Sequence, residues 1–132
     1  MNEALREAWI SADEIDHINM HATSTSLGDN SELIAAKRVF GARSSLAVSA
    51  TKSMTGHLLG AAGAIEGIAC LMALQENMVP PTINTTEIEP EFANLFTFPL
   101  GKSIEKEMTY AMSNTFGFGG HIASIVFKKY VQ

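Results

Sequence analysis

The sequence predicts an α/β fold with a mixed sheet, and three observations carry that prediction. Apolar segments of strand and helix length succeed one another in the order strand, helix, strand, helix, strand pair. Leu33, Ile34, Ala36, Val39 and Phe40 recur at helical spacing. Near the end, NTFGFGGHIA joins two apolar runs and is dense enough in glycine for a hairpin.

Taken in order, Asn2 to Trp9 reads as a short helix, followed by a strand over Ile15 to Met20 with Ile15 and Ile18 as its apolar weight. The polar, small-residue loop HATSTSLGD comes next, closed by Gly28-Asp29. Asp29 can cap a helix from Asn30 to Phe40, with Glu32 three residues on as its reciprocal capping partner and Gly41 as the stop. Leu46 to Ser49 is a short buried strand. A long helix is predicted from about Gly56 to Asn77, with Thr55 as cap and Pro80-Pro81 preventing its continuation. Thr82 to Leu100 reads as irregular, restricted by Pro90 and Pro99, and strands over Tyr110 to Ser113 and Ser124 to Phe127 end the chain.

Length and composition bound the function. At 132 residues, 46% of them hydrophobic, the chain has the size of one domain and can bury a core. A net charge of -5 without long like-charge runs argues against nucleic acid as the main partner. Lys37, Arg38 and Arg43 form the one local basic cluster and read as a solvated helix end. One cysteine excludes an internal disulfide framework and fits a reducing compartment. No apolar run is expected to reach the roughly 18 residues of a membrane span, and the N-terminus lacks the apolar stretch of a signal peptide, so the default location is cytoplasmic.

Reactive and small residues collect where strands end or helices open: His21 with Thr23 and Thr25, Lys52 through His57, and the NTFGFGG turn. Ligands of α/β sheets gather at the carboxyl ends of strands, so His21 and Lys52 are expected to meet at one edge. Gly60, Gly63 and Gly67 line one side of the long helix and imply burial against backbone, which leaves Glu66 in need of a partner; Lys52 is the nearest candidate. Other chemistry fits poorly. GFGGHIAS lacks the GxGxxG spacing, and nothing matches GxxxxGK[ST]. His17 and His21 share a strand face but have no acidic or cysteine ligands at usable spacing, so no metal is expected and His17 reads as a packing or surface residue. Cys70, deep within GIACLMAL, reads as structural, with a raised pKa and no access. The chain thus offers hydrogen-bond donors and an oxyanion-type turn without a nucleophile.

INMHATST, TKSMTGHLLGAAGAIEG, VPPTIN and NTFGFGGH, in this order and over essentially the whole chain, resemble the C-terminal part of a β-ketoacyl-[acyl-carrier-protein] synthase of the elongating, type II bacterial kind (KAS II). Polyketide ketosynthases share these motifs. The resemblance implies a thiolase-like fold of two similar α/β halves, with residues 1–132 as the later portion of the second half and the N-terminal half, with its active-site cysteine, absent. It implies decarboxylative Claisen condensation of malonyl-ACP with an acyl-enzyme thioester and no cofactor, the substrates riding on the phosphopantetheine of acyl carrier protein. Homodimers are the rule for full-length members. The alternatives are a non-catalytic partner subunit, which binds acyl carrier protein or acts like the chain-length factors that are the family precedent, and a fragment of a polyketide ketosynthase.

By that resemblance His21 and His57 are the two histidines of a Cys-His-His site, donating from Nε2 to the malonyl thioester oxygen. Lys52 supports them, with Glu66 as its buried partner. The Phe118 amide completes an oxyanion hole and its ring gates the acyl pocket with Phe116; Thr23 and Thr25 hold the phosphopantetheine arm. The predicted helix N-terminus at His57 is expected to keep that ring a neutral donor. The chain departs from the family pattern at Ala22, where glycine is usual, and at His121-Ile122, where Thr-Asn is more frequent. If position 22 needs φ > 0, a methyl group there strains the loop beside His21.

Overall fold

The computed structural model describes residues 1–131. Its elements are α1 (Asn2–Ala8), β1 (His17–Asn19), α2 (Ser26–Phe40), β2 (Ala47–Ser49), α3 (Lys52–Thr55), α4 (Ala62–Glu76), β3 (Met78–Val79), β4 (Ile104–Glu105), β5 (Tyr110–Gly117) and β6 (His121–Lys128), with single 3₁₀ turns at Ala12–Glu14 and Leu59–Ala61. The main sheet has the order β2-β1-β5-β6, with β1 parallel to both β2 and β5 and β6 antiparallel to β5. This is the mixed α/β sheet expected. β3 and β4 add a small antiparallel pair that the sequence reading does not contain.

Register explains the layers. Ile18, Val48 and Met112 stand in one row across β1, β2 and β5 and pack, with Leu33, Ala36 and Phe40 of α2, into one core. The alternate row includes Ala47 and Ala111, which pack with Cys70, Ala73 and Leu74 of α4 on the other face. Side chains of a strand alternate between faces, so one sheet here carries two cores. Residues between Thr82 and Leu100 are irregular apart from a bridge at each end of the stretch, yet they bring Phe92, Leu95 and Phe96 into the α2-side core.

Several predicted boundaries move, each for a local reason. α2 starts at Ser26, with extended Thr25 before it, and Asp29 lies inside its first turn. Glu32 is no capping partner: it is buried and committed elsewhere. The long helix is broken. Gly56 at φ 71 terminates α3, its N–H returning to the Lys52 carbonyl, and α4 begins only at Ala62. The terminal strands run longer than predicted, paired from Tyr110↔Lys128 to Gly117↔His121, and only Phe118 to Gly120 turn. Gly119 (φ 81) and Gly120 (φ 84) make that tight reversal possible. Arg43 leaves the basic cluster, its guanidinium donating to the carbonyls of Ala12 and Ile15.

The glycine stripe does pack closely, though not throughout, and against side chains of β5 and β6 instead of the backbone expected. A Cβ on Gly63 would lie 3.2 Å from Thr115 Oγ1 and one on Gly67 3.2 Å from Phe127 Cζ, whereas Gly60 faces open space. The opposite face of α4 exposes Ile65, Ile68, Leu71 and Met72. Leu59–Glu76 does reach 18 residues at mean hydropathy 1.2, contrary to expectation, but it begins as a separate 3₁₀ turn and contains the paired Glu66.

Candidate active site

Because β1, β2 and β5 run parallel, their carboxyl ends share one edge of the sheet, and the segments leaving them converge there. His21 follows β1, Lys52 opens α3 just after β2, His57 lies in the link between α3 and α4, and Phe116 is near the end of β5. The His21 and His57 rings meet edge to face with centroids 5.3 Å apart, and the Phe116 ring lies 5.2 Å from His21, tilted to it. A cavity of about 570 Å³ is lined by His21, Thr23, His57, Thr115, Phe116 and Phe118.

His21 is buried, and its pKa falls to about 4, first through burial and then through the nearby charges of Lys52 and His57. At neutral pH it is an uncharged ring. His57 is exposed and held differently: the Leu59 N–H donates to its Nδ1 at 3.3 Å, which leaves that ring's proton on Nε2. Leu59 makes this contact from φ 50. α4 itself starts five residues beyond His57, after the 3₁₀ turn Leu59–Ala61, and what meets the ring is the N–H of Leu59, the residue that opens that turn.

The predicted Lys52–Glu66 pair is present as a buried ion pair between α3 and α4. Burial pushes the Glu66 carboxyl above its usual range against the opposing pull of Lys52. Cys70 is the structural residue expected: it is fully buried, its Sγ–H points to the Met112 carbonyl, and burial raises its pKa to about 12. His17 is likewise a packing residue, fully buried on β1.

Sequence reasoning missed Glu32 and Asn114. Glu32 Oε1 accepts from the His21 N–H at 3.0 Å and from Asn114 Nδ2 at 3.1 Å, while Oε2 accepts from the Ala22 N–H at 3.0 Å. Asn114 Oδ1 in turn accepts from Ser124 on β6. The signal was available: Glu32, Ala36 and Phe40 recur at four-residue spacing, which places the carboxylate on the apolar face of α2. Ala22 does take positive φ, at 24°, so the feared strain is real, yet His21 remains in the cluster.

Thr23 reaches the cavity, whereas Thr25 is exposed at the start of α2, its Oγ1 3.4 Å from that of Thr23. Phe118 sits at the hairpin tip, 88% exposed, at the border of the cavity it shares with His21 and His57. A second cavity, of about 330 Å³, shares Thr23 and His57 and continues between Met20, Leu33, Val48 and Phe98.

Residues 1–86 match the family described as beta-ketoacyl synthase, C-terminal domain. The chain is 45% identical over 131 residues to 3-oxoacyl-[acyl-carrier-protein] synthase 2 of Staphylococcus aureus (strain COL), and 44% identical over 131 residues to the protein of that name from Vibrio cholerae. Each match takes in 98% of this chain and 31% of the relative, so the chain spans about a third of their length. Among solved structures it resembles a beta-ketoacyl synthase from Burkholderia phymatum STM815 (TM-score 0.92, 38% identity, 99% of this chain and 31% of that one). It also resembles the ishigamide ketosynthase/chain length factor (TM-score 0.91, 32% identity, 98% and 32%). With its layers, its paired histidines and these relatives taken together, the chain belongs to the β-ketoacyl synthase family, matching its C-terminal domain.

Proposed function

We propose that this chain is the part of a 3-oxoacyl-ACP synthase that grips the thioester oxygen during decarboxylative condensation. The observation that carries the reading is the meeting of an uncharged, buried His21 with a His57 protonated on Nε2, at one cavity. In the proposed reaction the acyl group is held on a cysteine supplied by the rest of the fold. The bond between the malonyl carboxylate and its α-carbon breaks, carbon dioxide leaves, and the electron pair moves onto the thioester oxygen as an enolate. The α-carbon then attacks the acyl carbonyl and the cysteine sulfur leaves.

Uncharged N–H donors suit the enolate because their hydrogen bonds strengthen as charge develops, and loss of one such donor typically costs about 3 kcal/mol of transition-state stabilisation. Lys52, held by its ion pair with Glu66, supports the site electrostatically. The Phe118 N–H serves the acyl-enzyme carbonyl, its ring and Phe116 border the acyl chain, and Thr23 and Thr25 receive the phosphopantetheine arm. No cofactor enters this scheme. Its partners are acyl carrier protein, the N-terminal half of the synthase and a second synthase in a homodimer; its place of work is the cytoplasm.

The test is carbon dioxide release from malonyl-ACP, together with product formation. The chain alone is expected to be silent. Co-expressed with the portion of the Staphylococcus aureus relative that lies outside the match, it is expected to condense, and His21→Ala or His57→Ala in that pair should each slow decarboxylation about 100-fold. Robust release from the chain alone, or full activity of either histidine variant, would overturn the reading. A pair that assembles but stays inactive would favour the chain-length-factor-like alternative, to which the similarity with a ketosynthase/chain length factor structure lends its weight.

A further inference from the structure

Apart from the inward-facing Glu66, α4 is apolar round nearly its whole circumference, and a helix of that kind is stable where it is covered on every side. One arc is covered: Glu66, Gly67, Cys70, Ala73 and Leu74 are buried. The opposite arc is bare. Ala61, Ala64, Ile65, Ile68, Leu71 and Met72 face outward, the four large ones 39%, 52%, 49% and 60% exposed. Steps of three and four residues set them in one stripe. From Leu59 to Gln75 the sole charged residue is Glu66, and it is spent on Lys52. An uncharged apolar patch of about 500 Å² is of the size that marks a contact with another protein.

The stripe is graded along the helix. Its first end is small, at Ala61 and Ala64; its last end is large, at Leu71 and Met72; Ile68 stands near the middle. Two copies laid antiparallel and crossing at Ile68 bring Ala64 of each against Met72 of the other, small against large, with Ile65 against Leu71. A parallel pairing would set alanine against alanine and leave a void. The antiparallel pairing is two-fold, so it closes at a dimer, and it sets the helix dipoles in opposition. Each copy carries a net charge of -5, so self-association requires a face free of like charges, and this stripe is one.

We propose that the outer face of α4 is a self-complementary interface through which two copies of this chain pair antiparallel about Ile68. The pair hides about 1,000 Å², the lower bound of specific interfaces, so the dimer exchanges with monomer. This pairing goes beyond the function proposed above and needs no other part of a synthase.

Sedimentation equilibrium of the full chain, from about 1 to 100 µM, tests it over the affinities that suit a small interface. A monomer–dimer equilibrium is expected. Ile68→Lys sets two ammonium groups face to face on the axis and should weaken the dimer at least about 10-fold. Ile34→Lys, at a site 42% exposed on α2, should change it less than about 2-fold. Orientation is tested by exchanging sizes. Ala64→Met overfills and Met72→Ala empties the same contact, so each alone should weaken pairing, while the double variant should return to within about 2-fold of the unaltered chain. Should Ile68→Lys fail to fold, the size exchange decides the matter. A monomer at every concentration, growth beyond the dimer, undiminished pairing of a folded Ile68→Lys chain, or a double variant no better than the single ones would overturn the proposal. So would a chain that is monomeric alone yet needs Ile68 to bind the co-expressed portion of the Staphylococcus aureus relative, since that result gives the face to a different occupant.

Discussion

Two buried glutamates, each from a different helix, organise the two histidine loops on opposite plans. Glu32 of α2 binds backbone: it takes the N–H groups of buried His21 and half-buried Ala22. Glu66 of α4 binds a side chain, Lys52, across the ends of a link whose middle, Gly56 to Leu59, stays exposed and includes His57. The first loop is held at two consecutive N–H groups, and its alanine stands at positive φ. The second is tied at its ends, needs glycine at 56, and relies on a single amide from Leu59 to set its imidazole. Direct backbone clamping makes one donor self-sufficient, while bracketing leaves the other open to whatever closes over it.

The largest expected effect comes from cutting the bracket. Lys52→Ala leaves the Glu66 carboxylate buried without a partner, and unfolding by urea should show a loss of about 3–5 kcal/mol. Replacing both partners, with Lys52→Met and Glu66→Leu, should cost less than either change alone. A loss under about 1 kcal/mol for Lys52→Ala would make the bracket no stronger than a surface pair and erase the contrast.

Next comes acid, which probes how deeply the β1 side is buried. His17 and His21 both have pKa values lowered to about 4, burial being the main cause in each. Between pH 6.5 and 4 the unfolded chain binds protons that the folded chain refuses, so their contribution is complete above 6.5 and is lost as pH falls towards 4. Glu32 and Glu66, raised by burial, act in the other sense: the fold favours their acid forms, so they add stability as pH falls through their raised values towards 4.5. Subtracting His17→Leu isolates one term. The stability difference between the unaltered chain and that variant should shrink by up to about 3 kcal/mol from pH 6.5 to 4. A constant difference would mean that His17 takes up its proton without leaving the core.

The smallest effects separate the glycines of the open loop. Gly56 sits at φ 71 with free space around a would-be Cβ, so Gly56→Ala costs only conformational strain, about 1–2 kcal/mol. Gly60 has the same free space but no positive φ, so Gly60→Ala should raise stability by about 0.4–1 kcal/mol. If both substitutions shift the denaturation midpoint the same way, the link is not held in the conformation described.

Much of this site is legible in the lettering. His21 and Lys52 follow apolar runs short enough to be strands, and a glutamate amid small residues on a buried helix demands a cation, so the edge cluster and the Lys52–Glu66 pair could be anticipated. Glu32 could not, as long as it was weighed only against Asp29: a capping box needs three residues of sequence, whereas its true partners stand 10, 11 and 82 residues away. The late start of the long helix, at Ala62 and not at Gly56 with Thr55 as its cap, was hidden for a more local reason. The run from Gly56 onward is apolar enough to be helix, and only the left-handed turns at Gly56 and Leu59 interrupt it.

The sequence by itself determined the α/β order of elements, the family, and which residue types reach the edge, because periodicity, turn residues and motifs act over a few positions. Tertiary structure alone decided that Glu32 holds the His21 loop and Asn114. That outcome depends on groups far apart in the chain, which meet only when the sheet and α2 bring them within 3 Å or so of each other.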